Sequence, residues 1–225
     1  MPNTLVFDLD GTIADTARDL IPALNQVIAI DGLASVGMGE IGHLVGHGAR
    51  VMIERAYALR GRNISEQRLD YLFGRFHDVY SDNIANHTVL FDGSRAAMDR
   101  FAQAGWKLAI CTNKPVGMTN LLLHELGIVD LFDSISGGDS FTFKKPDPRH
   151  LTETIRLAGG RRELAAMVGD SITDIRTAKA AGVPVIAVDF GYSAEPVATL
   201  GPDRVIGHFD ELWEAVASLF ATASP

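Results

Sequence analysis

The chain is predicted to fold as α/β, a doubly wound parallel sheet with an α-helical block inserted after the first strand. Two observations lead there. From residue 94 onward, short apolar runs alternate with single stretches of helical period, and one helix between two strands implies a parallel, right-handed crossover. Residues 16–86, which precede that alternation, carry helical periodicity and no strand pattern. The expected organisation is a core of residues 1–15 and 87–225 with residues 16–86 as an insertion.

The first strand is the run Thr4, Leu5, Val6 and Phe7, which ends in polar residues and Gly11 and so feeds a loop. In the insertion, Leu20, Leu24, Val27 and Ile28 share one helical face. Leu69, Leu72, Phe73, Phe76 and Tyr80 share another, and a further helix is expected over 49–59. Ala97, Phe101 and Ala104 mark a helix stopped by Gly105, and 106–111 form the second strand. A helix over 117–126 ends at Gly127, before a short strand over 132–136. A helix over 150–157, a strand over 165–168, a helix over 172–181 and a strand over 184–188 continue the alternation. An edge strand over 204–206 and a closing helix over 211–220 complete it.

Composition narrows the function. A net charge of -8, with no Lys/Arg run longer than two residues, excludes a protein built to coat nucleic acid or anionic lipid. No basic region precedes the first apolar run, and no uncharged apolar stretch reaches the ~20 residues of a bilayer span. Neither a nucleic-acid nor a membrane partner is therefore expected. The single cysteine, Cys111, excludes an intramolecular disulfide and fits a reducing cytoplasm, the expected location.

Ligands of doubly wound sheets bind beyond the carboxyl ends of the strands, so the chemistry should lie there. The first strand is followed by Asp8, Asp10, Gly11 and Thr12, the second by Thr112, Asn113 and Lys114. A loop after the third carries Lys144, Lys145, Pro146, Asp147 and Pro148, and the fourth is followed by Asp170, Ser171 and Asp174. Clustered carboxylates suit Mg²⁺, which keeps several waters and shares its shell with a phosphate. A phosphoryl group placed there needs a nucleophile, a proton donor for the leaving oxygen, and donors for its remaining oxygens. Asp8 or Asp10 can supply the first two; Thr112, Asn113, Lys145 and loop N–H groups can supply the third.

Four segments together carry a resemblance: Asp8-Leu9-Asp10-Gly11-Thr12, Thr112, Lys145 with its Pro-x-Pro tail, and Gly169-Asp170-Ser171-Ile172-Thr173-Asp174. In this order, each at a predicted strand end, they resemble the motifs of the haloacid dehalogenase (HAD) superfamily. The resemblance implies a Rossmann-like core, and the insertion is similar to the α-helical cap of one branch. It implies that Asp8 is the nucleophile and forms an aspartyl-phosphate. Asp10 would protonate the leaving alkoxide and later activate water. Mg²⁺ would be held by Asp8, Asp170 and the main-chain carbonyl of Asp10. Thr112 and Asn113 would contact the phosphoryl oxygens, Lys145 would balance charge, and Asp174 would act behind the metal ligands. The partner implied is a small-molecule phosphate ester.

Within the superfamily, Asp10 argues against the dehalogenases, because a departing halide needs no proton. Phosphonate hydrolases need a cap lysine, and residues 16–86 contain none. Sugar-phosphate mutases keep both aspartates and remain an alternative, as do phosphatases of pyrophosphate, nucleotides or amino-sugar phosphates. A phospho-aspartate switch module shares the acceptor, acids, Thr and Lys but orders its motifs differently. The stretch Val45-Gly46-His47-Gly48-Ala49-Arg50, with Gly191-Tyr192-Ser193 and 201–205, is similar to phosphoglycolate phosphatases, which implies 2-phosphoglycolate as substrate. Arg50 is a candidate clamp for its carboxylate, and equally a structural arginine paired with a helix acid. His150 stands where many relatives carry a second proline-type turn residue. Gly37-x-Gly39-x-x-Gly42 matches a dinucleotide fingerprint but follows no strand, and His43 and His47 are expected at a surface or hinge rather than on a metal. Cys111 is expected as a small buried strand residue.

Overall fold

The computed structural model describes residues 3–221; Met1, Pro2 and 222–225, included in the expected core range, lie outside the described residues. β1 (Thr4–Phe7) is wholly buried and leads into a tight loop and a two-residue strand, β2 (Ala14–Asp15). The helical block follows as α1 (Ala17–Ile28), the single turn α2 (Ile41–Leu44), α3 (Ala49–Leu59) and α4 (Glu66–Ser81). The chain returns through β3 (Val89–Leu90), which pairs antiparallel with β2. It then alternates through α5 (Ser94–Gln103), β4 (Lys107–Cys111), α6 (Val116–Glu125), β5 (Ser134–Ser136) and α7 (Pro148–Leu157). β6 (Ala165–Gly169), α8 (Ile172–Ala181), β7 (Val185–Val188), β8 (Arg204–Ile206) and α9 (Leu212–Ala221) follow.

Six strands form one parallel sheet in the order β5-β4-β1-β6-β7-β8. The chain builds outward from β1 through β4 to β5, then crosses back to lay β6 on the other side of β1. The strand order therefore reverses at β1 and β6, where such sheets open a ligand crevice. Phe7 pairs with both Ile110 and Val168, so these strands end level with one another.

The side-chain period of two divides the core between the two faces. Leu5 and Phe7, with Leu108, Ile110, Val168 and Ile186, pack against Met98, Phe101, Leu122 and Val216 of α5, α6 and α9. Val6, Ala109, Met167 and Val185 pack on the opposite side against Leu151, Ile155, Ile175 and Ala178 of α7 and α8. The buried faces of the helical block, including Leu24, Ile53 and Leu72, join the first of these cores. The insertion thus has no hydrophobic core of its own among the described residues.

The elements depart from expectation mainly at their ends. α7 starts at Pro148 rather than 150, with Asp147 Oδ1 accepting from Arg149 N at 2.9 Å. An N-cap aspartate before a first-turn proline is a readable start signal. The expected third strand shortens to Ser134–Ser136 because Asp133 turns its carboxylate back onto Leu108 N at 3.1 Å. The β2–β3 ribbon was not anticipated, since two residues per strand give no period to detect.

The ribbon closes the neck of the helical block, and polar ties brace it. Buried Asp19 accepts from His87 N, Thr88 N and Thr88 Oγ1 at 2.7–2.9 Å. The glycine motif at 37–42 forms a 3-10 turn and the start of α2, not a strand-turn-helix. A Cβ on Gly42 would come within 2.7 Å of Tyr192 O, so this glycine lets the block approach the core closely. No helix among the described residues is long and apolar enough to cross a membrane.

Candidate active site

Asp8 leaves β1 with its N–H still bonded to Val168 O at 2.9 Å, so the sheet itself sets its position. The chain then turns at Gly11, which has φ +82°, where a Cβ would lie 2.4 Å from Asp170 Oδ2. Only glycine meets both conditions, and its absent side chain lets the β1 loop pack against the end of β6. Thr12 continues that contact, donating from Oγ1 to Asp170 Oδ1 at 3.1 Å.

Asp8, Asp170 and Asp174 each bring a carboxylate oxygen within 4.8 Å of the other two, and all three residues are buried. One ammonium stands among them: Lys145 Nζ lies 2.9 Å from Asp8 Oδ1 and 2.5 Å from Asp174 Oδ1. Burial pushes the Asp8 carboxyl up to about 6 against the pull of Lys145. Burial, with Asp174 and Asp8 nearby, raises Asp170 well above the carboxylate range. Burial also opposes the charge of Lys145, but Asp174 and Asp8 outweigh it and hold the ammonium above its ordinary value. When ionised, three acids beside one ammonium leave a buried excess of two negative charges, which an oxygen-seeking dication neutralises. Asp174 already has both oxygens engaged, by Lys145 and by Ser171 N and Oγ at 3.1 and 2.6 Å. Asp170 also has both oxygens engaged, but only by the neutral donors Thr12 Oγ1 and Tyr192 N, so its charge, unlike that of Asp174, is met by no ammonium.

Asp10 stands in different surroundings, half-open to the cavity rather than buried with the acids. Lys114 Nζ donates to its Oδ1 at 2.6 Å and to Tyr80 Oη at 3.0 Å, and lies 4.8 Å from the centre of the Tyr80 ring. Burial works against this ammonium, but Asp10 and Tyr80 outweigh it and raise Lys114 above its usual value. At the end of β4, Thr112 Oγ1 accepts from Lys114 N at 3.3 Å, which leaves its O–H free to donate. Asn113 commits its amide group to Gly46 O at 3.2 Å and Lys145 O at 3.1 Å, tying the helical block to the loop that carries Lys145.

A narrow cavity with about 30 Å³ of free volume, open to solvent on one side, lies against Asp8 and Asp10. The core lines it with Asp8, Asp10, Thr112 and Lys114; the helical block adds Leu20, Ala49, Met52, Phe76 and Tyr80. Behind the loop that carries Lys145, fully buried His150 accepts from Lys145 N through Nδ1 at 3.2 Å. Burial, aided by the neighbouring Lys145, depresses His150 to about 4, so the ring is neutral and works as an acceptor.

The model of the haloacid dehalogenase-like hydrolases matches residues 5–188. The chain belongs to this family. It is similar to the phosphoglycolate phosphatase of Mesorhizobium japonicum, at 50% identity over 220 residues covering 98% of this chain and 97% of that one. The phosphoglycolate phosphatase of Agrobacterium fabrum is 46% identical over 211 residues, 94% of this chain and 91% of the other. Among solved structures, one described as a predicted phosphoglycolate phosphatase from Haemophilus somnus superposes with a TM-score of 0.88 at 27% identity. That match covers 95% of this chain and 97% of the other.

HAD phosphatases are generally metal-dependent, and the three-acid cluster is where this member of the family concentrates its carboxylates. The HAD core brings Asp8, Asp10, Thr112, Asn113, Lys145, Asp170 and Asp174 to one sheet edge, as their places after the strands lead one to expect. Arg50 is not brought there. Its guanidinium turns outward along α3 to pair with Glu66 and Asp70 of α4, the structural alternative its position allowed. His47 lies 3.3 Å from Thr173 Oγ1 through Nε2 and 3.2 Å from Arg55 through Nδ1, at the junction of block and core. Burial pushes the buried Cys111 thiol up to about 12, which leaves it unreactive.

Sequence reasoning missed the parts played by Lys114, Tyr80 and Tyr192. Lys114 was visible as a lysine at a strand end, but Tyr80 looked like one more apolar-face residue of α4. Tyr192 N donates to Asp170 Oδ2 at 2.7 Å, while its Oη donates to Asp15 Oδ1 at 2.7 Å and accepts from Ala17 N at 2.9 Å. It thereby ties the acid cluster to the neck of the insertion, and no local pattern announces that.

Proposed function

We propose that the protein is a Mg²⁺-dependent phosphomonoester hydrolase that works through an aspartyl-phosphate on Asp8, with 2-phosphoglycolate as its substrate. The observation that carries this reading is the split between two neighbouring carboxylates. Asp8 sits among buried acids beside Lys145, while Asp10 faces the cavity on Lys114. A nucleophile and a proton carrier need different environments, and one loop provides both.

In the first step an Asp8 oxygen bonds to phosphorus as the bond to the leaving oxygen breaks, and Asp10 gives that oxygen its proton. In the second, Asp10 takes a proton from the attacking water, and the phosphorus–Asp8 bond breaks to release phosphate. Thr112 Oγ1 and the main-chain N–H of Asn113 donate to the phosphoryl oxygens, because the Asn113 amide is already committed to two carbonyls. Lys145 offsets charge on Asp8 and the transferring group. Asp8, Asp170 and the Asp10 carbonyl would hold Mg²⁺, which supplies charge neutralisation for the acids and the phosphate together.

Residues 16–86 act as a cap on a core of 1–15 and 87–225, with the β2–β3 ribbon as the hinge region. Support for 2-phosphoglycolate comes from the named relatives and from a narrow cavity whose wall includes the start of α3. The first-turn N–H groups there lack helical acceptors and favour a carboxylate. The single buried cysteine accords with a reducing cytoplasm.

The test is release of inorganic phosphate from 2-phosphoglycolate, pyrophosphate, sugar phosphates and nucleotides at saturating Mg²⁺. The expected result is a kcat/KM for 2-phosphoglycolate at least tenfold above the rest, a margin of about 1.4 kcal/mol, with reversible loss on chelation. Equal rates across the panel overturn the substrate; isomerisation without free phosphate overturns the hydrolase.

A further inference from the structure

We propose that Lys114 is a positioning residue that fixes which oxygen of Asp10 relays the proton, and that Tyr80 makes this alignment depend on the helical block covering the site. The inference rests on the acid–base role proposed for Asp10. Neither Lys114 nor Tyr80 contacts Asp8, Asp170 or Asp174.

The geometry is specific. Among the described residues, Lys114 Nζ is the sole hydrogen-bond or ion-pair partner of the Asp10 carboxyl, and it engages Oδ1 at 2.6 Å. Oδ2 remains without a protein partner, on a residue that lines the cavity. The ammonium on Oδ1 fixes the rotation of the carboxyl and leaves Oδ2 as the oxygen available to relay a proton. The main chain of Lys114 is fixed. It is buried, its N–H bonds to Thr112 Oγ1, and its carbonyl accepts from Gly138 N at 2.9 Å.

The second partner of Nζ comes from across the chain. Tyr80 Oη accepts from it at 3.0 Å, and the Tyr80 ring stacks on Phe76 at 5.5 Å within α4. Burial pushes the Tyr80 hydroxyl up to about 12, so it stays protonated and neutral beside the ammonium. A buried ammonium that loses an acceptor must find another or rehydrate. When α4 lifts, the acceptor leaves with it, and Lys114 is free to swing away from Oδ1. Acid–base alignment is then complete only with the insertion in place, which protects a phosphorylated Asp8 from misdirected water.

Leaving-group dependence reads this out, because a general acid matters most when the departing oxygen is most basic. We would measure kcat/KM for p-nitrophenyl phosphate, phenyl phosphate and 2-phosphoglycolate with wild type, Asp10→Asn, Lys114→Met and Tyr80→Phe. Asp10→Asn sets the limit: a slope against leaving-group pKa no steeper than wild type overturns the acid role itself. With a steeper Asp10→Asn slope, Lys114→Met should approach it, losing roughly 10²-fold on 2-phosphoglycolate and little on p-nitrophenyl phosphate. Tyr80→Phe, which keeps the ring, should lose about fivefold to tenfold with the same leaving-group bias. Should Lys114→Met not fold, Tyr80→Phe decides alone. A loss equal on all three esters, or no loss, in the variant that decides overturns the inference.

Discussion

Asp8 and Asp10 stand two residues apart on one loop, yet different parts of the chain hold their carboxylates. The partners of Asp8 all come from segments of the core that follow strands of the sheet: Lys145, Asp170 and Asp174, buttressed by Thr12, Ser171 and His150. Asp10 is held by Lys114, and Lys114 is completed by Tyr80 from the insertion. The side that would handle phosphorus is thus built into the core, while the side that would move protons is finished by a helix of the insertion. Such a division lets one core serve many substrates, because the inserted helices reach the leaving group without disturbing the nucleophile.

The largest test of this division lies on the core side. Asp8→Asn should lower turnover by at least about 10³-fold in a steady-state phosphate-release assay. Its melting temperature should stay close to wild type, since an isosteric amide replaces a carboxylate whose charge is opposed by burial. Retained activity would remove the nucleophile from the reading, and gross unfolding would show that the acid cluster is structural.

An intermediate effect is expected at His150, the ring that supports the Lys145 loop. Its folded value, about 4, lies below its ordinary 6.5, so the folded protein binds fewer protons than the unfolded chain between those limits. The stabilisation is whole above pH 6.5 and drains away as pH falls towards 4, amounting to about 3 kcal/mol at the acid end. Urea denaturation of His150→Gln at pH 7 and pH 4.5 should show a smaller loss between the two than wild type. An unchanged difference places the acid sensitivity elsewhere.

The smallest effect belongs to Arg50. Its pairs with Glu66 and Asp70 lie on the outer face of the insertion, where ion pairs contribute little. Arg50→Ala should change kcat/KM for 2-phosphoglycolate by no more than about twofold. A tenfold rise in KM at constant kcat would mean that the guanidinium leaves its partners to meet substrate, and would sharpen the role of the insertion considerably.

How much of this was legible beforehand differs between the same two sides. Asp170 and Lys145 could be placed with Asp8 from their positions after predicted strands, because parallel strands joined by right-handed crossovers bring every carboxyl end to one edge. Lys114 and Tyr80 could not be paired that way. They are 34 residues apart on a strand end and a helix, and nothing local reports the angle at which α4 crosses the sheet edge. Arg50 shows the converse: a residue type suited to binding was drawn off by two acids on the neighbouring helix.

The sequence by itself determined the alternation of strands and helices, the insertion after the first strand, and the order in which chemical residues reach the sheet edge. These follow from apolar periodicity, glycine stops and chain handedness, all of which are local or combinatorial. Only the tertiary structure decided that Lys114 holds one oxygen of Asp10 against Tyr80, and that Tyr192 ties Asp170 to the neck at Asp15 and Ala17. The last of these links joins residues 177 and 175 positions apart, and their geometry depends on how whole elements pack rather than on any run of neighbours.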